Sequence, residues 1–259
     1  MPEFTDQVGR KVYLEKAPLR IVSTVPSQTE LLYDLGLGEN VVGITAYCVH
    51  PKNWLKEKTV IGGTKDLQIE KIRSLKPDLI VGNKEENIKE QIEALERDIP
   101  VWLSDIITLE DAMNMINSVG EICDKLEEAA GITSTIKDLR QKLKKKNKAP
   151  QSAAYFIWKD PYMLTGDATF INSMMQEAGL QNVVQNHKDR YPAMTLEELS
   201  ELKPEVVLLS SEPYAFTTGD LNEIAPYFPD SKLRIVDGEL FSWYGSRMIK
   251  ALKYFNTSF

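Results

Sequence analysis

From about residue 20 onward, two hydrophobic rhythms alternate along the chain. Short apolar or β-branched runs at 20–24 (RIVST), 40–46 (NVVGITA), 78–82 (DLIVG) and 100–104 (PVWLS) read as buried strands. Between them, apolar residues at helical spacing predict helices over about 28–35, 69–75 and 87–97. Ser27 and Glu30 have the spacing of a capping box for the first helix, and Gly36 offers a left-handed stop. Pro77 closes the second, because a proline disfavours the α region for the residue before it.

The second half repeats this grammar. Strands are predicted at 153–158 (AAYFIW), 205–210 (EVVLLS) and 233–238 (LRIVDG), with helices at 169–179, 196–202 and 246–255. One phrase occurs twice: IEKIRSLKPDLIV at 69–81 returns as LEELSELKPEVVL at 196–208. The copies align Glu70 with Glu197, Leu75-Lys76-Pro77 with Leu202-Lys203-Pro204, and Asp78 with Glu205. A duplicated unit follows, and strand–helix alternation makes each copy an α/β, Rossmann-like lobe with a largely parallel sheet. Between the lobes, 108–146 keeps Met115, Val119, Ile122, Leu126, Ile136, Leu139 and Leu143 at helical spacing. That spacing predicts a long, rigid connecting helix and a division into lobe 1–107, connector 108–148 and lobe 149–259.

Composition narrows the function. The 259 residues are 42% hydrophobic and 27% charged, enough for two globular lobes. A net charge of −7 opposes polyanion binding, so no nucleic-acid partner is expected. The basic run 142–148 (KLKKKNK) reads as a solvated helix end. Cys48 and Cys123 supply no disulfide framework and are read as two unpaired thiols, with a single bridge as the alternative. With two histidines, His50 and His187, the chain lacks the ligand density of a free-zinc receptor. The N-terminus has no secretory-signal pattern, and no run approaches the roughly 20 apolar residues of a membrane span. Either a cytoplasmic protein or the processed form of an exported one fits. Phosphate-loop, dinucleotide-fingerprint, H-E-x-x-H and G-x-S-x-G motifs are absent, which removes the common catalytic signatures without excluding catalysis; a non-catalytic protein is the reading.

The start RIVSTVPSQTELLYDLGLGENVVGITAYCVHP, the phrase LQIEKIRSLKPDLIV, the long middle helical segment, YMLTGDATFINSMMQEAGLQNVV and the closing FSWYGSR resemble the helical-backbone (class III) substrate-binding proteins of ABC importers. The likeness runs from about residue 20 to 255 and is nearest to the cobalamin-binding group, with haem and ferric-siderophore binders as sisters. It implies a monomer outside the cytoplasm that carries cobalamin or a related corrinoid as cargo, with no prosthetic group. It also implies delivery to a permease dimer, with Glu70 and Glu197 as the docking carboxylates. A haem or ferric-siderophore carrier, a cytoplasmic corrinoid scavenger or sensor and, last, an enzyme acting on a chelate are the alternatives.

In such proteins the ligand lies in the cleft between the lobes. The resemblance carries cleft contacts onto Tyr47, Tyr191, Phe241 and Trp243. Trp158 and Tyr162 join them from the residues themselves, because they fall at a strand end and turn and a flat chelate needs aromatic stacking. His50, in YCVH, is a candidate axial ligand to a chelated metal. Thr64 and Asn83 stand where the cobalamin group has tryptophans, which leaves one side of the aromatic box polar.

Overall fold

The computed structural model describes residues 2–144 and 149–259. The described residues form two compact units. The first takes them from Met1–Ile106, Glu110–Thr135 and Tyr244–Arg247; the second takes them from Ile107–Leu109, Ile136–Trp243 and Met248–Phe259.

The first unit is built on a five-stranded sheet in the order Thr59–Val60, Val41–Ile44, Ile21–Ser23, Leu79–Asn83, Val101–Ser104. Every neighbouring pair is parallel, with Ile21 opposite both Val41 and Leu79. Strands covered on both faces have no polar alternation, which is why IVS and LIVGN are buried at every position. Val22, Ile80, Ile72, Ile92 and Leu95 fill one side of this sheet. An antiparallel hairpin, Glu3–Thr5 with Lys11–Tyr13, precedes it; the short runs of that hairpin gave no signal in the sequence.

In the second unit the central strand Gln151–Trp158 pairs in parallel with Leu180–Asn182 and Val206–Ser210, and antiparallel with Met163–Leu164. Val206–Ser210 pairs in turn with Lys232–Val236, again in parallel. Both sheets are thus largely parallel, as the alternating pattern requires.

The duplicated phrase is duplicated in space. The helix Ile69–Ser74 and the helix Leu196–Glu201 each feed a strand through Leu-Lys-Pro, and both lysines take the left-handed region, Lys76 at φ 47° and Lys203 at φ 46°. The acidic residue that follows grips the start of the adjacent parallel strand. Asp78 accepts the amides of Leu19 and Arg20, each at 2.9 Å, while Glu205 accepts the Ser152 amide at 2.7 Å and its hydroxyl at 3.1 Å. The phrase therefore encodes a helix stop and a strand clamp, independent of anything its glutamates do.

Two local expectations change. Ser27 and Glu30 make no capping box: the helix begins earlier, at Pro26, with Val25 at the N-cap and no side-chain cap. Proline at a first helical position needs no amide partner, so the start shifts upstream. Glu30 instead pairs with Arg247. Gly36 does supply the left-handed stop, at φ 76°.

The connector is two helices, Leu109–Ile122 and Leu126–Lys144, not one. The chain breaks at Asp124, φ 55°, and the Lys125 amide reaches back to the Gly120 carbonyl at 2.6 Å. Met115, Val119, Ile122 and Ile136 are buried as their spacing implies, whereas Leu126 is exposed at the new helix start. Of the basic run, residues 145–148 lie outside the described residues. Gly120 has a packing reason: a Cβ there would lie 2.4 Å from the Ala129 Cβ and 3.0 Å from the Lys125 carbonyl oxygen. Gly120→Ala is expected to destabilise the first unit by about 1–3 kcal/mol, measured by chemical denaturation, because neither backbone nor a β-carbon can yield cheaply.

Candidate functional site

In the second unit, the strands Gln151–Trp158, Val206–Ser210 and Lys232–Val236 run in one direction, so their carboxyl ends share an edge. Ligands of open parallel sheets gather at that edge. Trp158 ends its strand and stays 41% exposed. Its ring meets Tyr214 edge to face, with centroids 5.8 Å apart, and Tyr214 packs on the buried Phe216 at 4.8 Å.

Lys159, next in the chain, donates to Asp220 and Glu223, each at 2.7 Å. Glu223 also accepts the Tyr162 hydroxyl at 2.8 Å. Asp220 further takes the Thr217 amide at 2.8 Å and hydroxyl at 2.7 Å, closing the capping box of the helix Thr218–Ile224. The Lys159 hydrogen bond, then those from Thr217, hold Asp220 far below the usual carboxylate range. Asp220 and Glu223 in turn hold Lys159 well above the usual lysine range. Burial, followed by the bond to Glu223, pushes the Tyr162 phenol up to about 12. At neutral pH this corner is a fixed set of charges.

Trp243 follows the helix Glu239–Ser242 and is 9% exposed. Its indole N–H donates to Glu212 Oε1 at 2.9 Å, and the Ser242 hydroxyl donates to the same oxygen at 2.5 Å. Burial raises the Glu212 carboxyl, and Glu239 and Asp237 add to the rise. Phe241 is a different case. It is fully buried, packed on Tyr155 at 5.1 Å and Phe255 at 4.9 Å, so its ring belongs to the core and leaves no face for a ligand. Tyr191 is half-buried, with the Arg190 guanidinium 5.8 Å from its ring centroid. Tyr162 is half-buried too, edge-on to Phe156 at 5.6 Å.

In the first unit, Tyr47 is 62% exposed and lies against Gly63, where a Cβ would come within 3.1 Å of its ring. Cys48, next in the chain, points inward to the Thr29 and Thr45 hydroxyls at 3.1 and 3.2 Å. Burial pushes its thiol pKa up, so it is a neutral thiol and not a thiolate ligand. Cys123 is likewise free and buried. His50 is half-buried just before Pro51, while His187 is exposed and accepts the Asp189 amide at 3.1 Å. Among the described residues, no three His, Cys, Asp or Glu side chains are grouped to hold a metal ion.

The positions that depart from the tryptophan pattern are occupied internally. Asn83 is 2% exposed, donates to Ser104 Oγ at 3.0 Å and accepts the amides of Glu85 and Glu86 at 2.8 and 2.9 Å. Asn87 joins Asn83 to the Thr64 carbonyl, accepting the Asn83 amide at 2.9 Å and donating to Thr64 at 3.0 Å. Amide side chains thus occupy the carboxyl end of the strand Leu79–Asn83. Glu70 and Glu197 occupy equivalent second positions of their helices, both exposed; the Glu70 side chain is 84% exposed and pairs with Arg73 at 2.7 Å.

The periplasmic binding protein family matches residues 21–225. The chain belongs to that family. It is a substrate-binding protein and not an enzyme. An uncharacterized ABC transporter substrate-binding lipoprotein, YvrC of Bacillus subtilis strain 168, is 29% identical over 216 residues, covering 78% of this chain and 67% of that protein. The vitamin B12-binding protein of Photorhabdus laumondii is 27% identical over 200 residues, covering 76% and 72%. Two solved structures share the fold: the periplasmic vitamin B12 binding protein BtuF of Vibrio cholerae and the periplasmic heme binding protein HutB of the same species. The first has a TM-score of 0.79 at 19% identity, covering 93% of this chain and 96% of that one. The second has a TM-score of 0.79 at 19% identity, covering 92% and 98%.

For this periplasmic binding protein, sequence reasoning missed Lys159, Glu212, Tyr214 and Asp220. Their only legible signal was position: Lys159, Glu212 and Tyr214 follow predicted strands whose carboxyl ends share an edge. No described helix is long and apolar enough to cross a membrane.

Proposed function

We propose that this binding protein captures a corrinoid such as cobalamin outside the cytoplasm and delivers it to the permease dimer of an ABC importer. The observation that carries the reading is Trp158, a large aromatic left 41% exposed on a braced turn among other aromatics, in a chain with relatives named for vitamin B12 binding. The proposed contacts are Tyr47 on the first unit and Trp158, Tyr162, Tyr191 and Trp243 on the second. Phe241 supports them from the core. The chelate is cargo, held reversibly by a monomer. Haem or a ferric siderophore is the second reading, favoured by Asn83 and Thr64 in place of tryptophans and by the shared fold of a heme binding protein.

Absorbance titration of the purified protein with cyanocobalamin, haemin and ferrichrome decides between them. A saturable change with cyanocobalamin is the expected result, and saturation by haemin alone would replace the corrinoid reading. Replacing both Tyr191 and Trp243 with Ala should weaken binding of the bound chelate by roughly 1–3 kcal/mol. Unchanged affinity in the folded double variant would remove the two from the site.

A further inference from the structure

We propose that Asp220 is the positioning residue of the ligand-contacting surface on the second unit, and that Tyr214 is a further ligand contact held by it. The inference rests on the reading above, in which Trp158 touches the bound chelate. A large exposed side chain that must be ordered on binding lowers affinity, so a site that uses one gains by ordering it beforehand.

Here the ordering is visible. Lys159, adjacent to Trp158, crosses to the helix Thr218–Ile224 and bonds Asp220 at 2.7 Å. Asp220, only 7% exposed, also takes the amide and hydroxyl of Thr217, and the Tyr214 hydroxyl lies 3.5 Å from its Oδ1. One carboxylate thereby joins the strand end that carries Trp158, the loop that carries Tyr214 and the start of a helix. The Tyr214 amide adds a long bond to the Ile157 carbonyl at 3.4 Å. The result is an edge-to-face pair, Trp158 on Tyr214, tied through Lys159 and Asp220 to the start of the helix.

The same bonds state which ligands suit it. Lys159 is the cation of this cluster, and it already faces two carboxylates, Asp220 and Glu223, both within 2.7 Å. The cluster carries a net negative charge and offers no unpaired cation to a carboxylate-bearing ligand. It therefore favours a rigid conjugated chelate that is neutral or cationic over a multiply anionic one.

The test uses the full chain labelled with 5-fluorotryptophan. The Trp158 resonance is assigned by its loss in Trp158→Phe. One narrow Trp158 line is expected in the wild type. Asp220→Ala should broaden or split that line while leaving those of Trp54 and Trp102 in place, and Asp220→Asn, which keeps an oxygen for Thr217, should give an intermediate effect. An unchanged Trp158 line in Asp220→Ala overturns the positioning role.

In parallel, cyanocobalamin titrations should show about three- to tenfold weaker binding for Tyr214→Ala and for Trp158→Ala, and about tenfold for Asp220→Ala. Asp220→Ala should add little to a Trp158→Ala, Tyr214→Ala double variant. Haemin, with its two carboxylates, should bind more weakly than cyanocobalamin. Wild-type affinity in Tyr214→Ala overturns its ligand role. If wild type binds none of cyanocobalamin, ferrichrome and haemin, the chelate reading fails and the ligand role of Tyr214 falls with it, while the fluorine spectra still decide the role of Asp220.

Discussion

Glu30→Ala is expected to destabilise the first unit by about 3–5 kcal/mol, the range found when one partner of a buried ion pair is removed. Arg247 donates to Glu30 through Nε at 2.6 Å and through Nη2 at 3.0 Å, and both side chains are 5% exposed. Arg247 ends the segment Tyr244–Arg247, which packs in the first unit although the residues on either side of it belong to the second. The bidentate bond fixes that segment to the helix Pro26–Asp34. Removing the carboxylate leaves a guanidinium in a place water does not reach, and an arginine cannot shed its proton to escape. Replacing both at once, Glu30→Leu with Arg247→Met, removes the buried charge on each side and should recover much of the loss. Urea melts followed by circular dichroism give the numbers, and hydrogen exchange localises them to 26–34 and 244–247. A loss below about 1 kcal/mol in Glu30→Ala would show that the pair is not the anchor of this segment.

If Glu70 and Glu197 dock the permease, as the resemblance implies, reversing both to Lys should abolish association with the importer while leaving affinity for the ligand nearly unchanged. The motive is their equivalent placement, one on each unit, at the second position of matched helices and open to solvent. Exposed charges contribute little to folding, so the loss of the Glu70–Arg73 pair should cost well under about 1 kcal/mol. Across an interface the same reversal places like charges opposite one another, which costs far more. Single reversals should give intermediate losses if each unit engages one permease subunit. Any residual binding of the double variant should strengthen with added salt, the opposite of wild type, since screening now relieves repulsion. Uptake equal to wild type in the double variant would reduce the repeated phrase to its structural part, the helix stop and the strand clamp.

That structural part marks how far the chain could be read without coordinates. The seven strands named from apolar runs all form; six are buried along most of their length, which leaves a continuous hydrophobic signature that depends on no partner, while Lys232–Val236, at the sheet edge, is mostly exposed. The Leu-Lys-Pro stops and Gly36 were equally legible, being local steric rules. The break at Asp124 was not: apolar spacing continues across it, and the close approach of Gly120 to Ala129 beside the turn exists only in the folded chain. Ser27 and Glu30 had the letters of a cap, yet Arg247, far away in sequence, took the carboxylate, since a buried guanidinium demands a charged partner more strongly than a helix end does.

Among candidate contacts, Trp158 and Phe241 were indistinguishable as letters. Only packing leaves one exposed at a strand end and encloses the other among Tyr155 and Phe255. The bracing of Trp158 by Lys159, Asp220 and Tyr214 joins positions some sixty apart, and no periodicity encodes such a contact. The sequence by itself determined the alternating strands and helices, the duplication and the parallel sheets, because these follow from local sterics and from which faces must avoid water. Which side chains meet, and which aromatics remain open to a ligand, was decided by tertiary structure, because hydrogen bonds and ion pairs between distant residues exist only once the sheets bring them together.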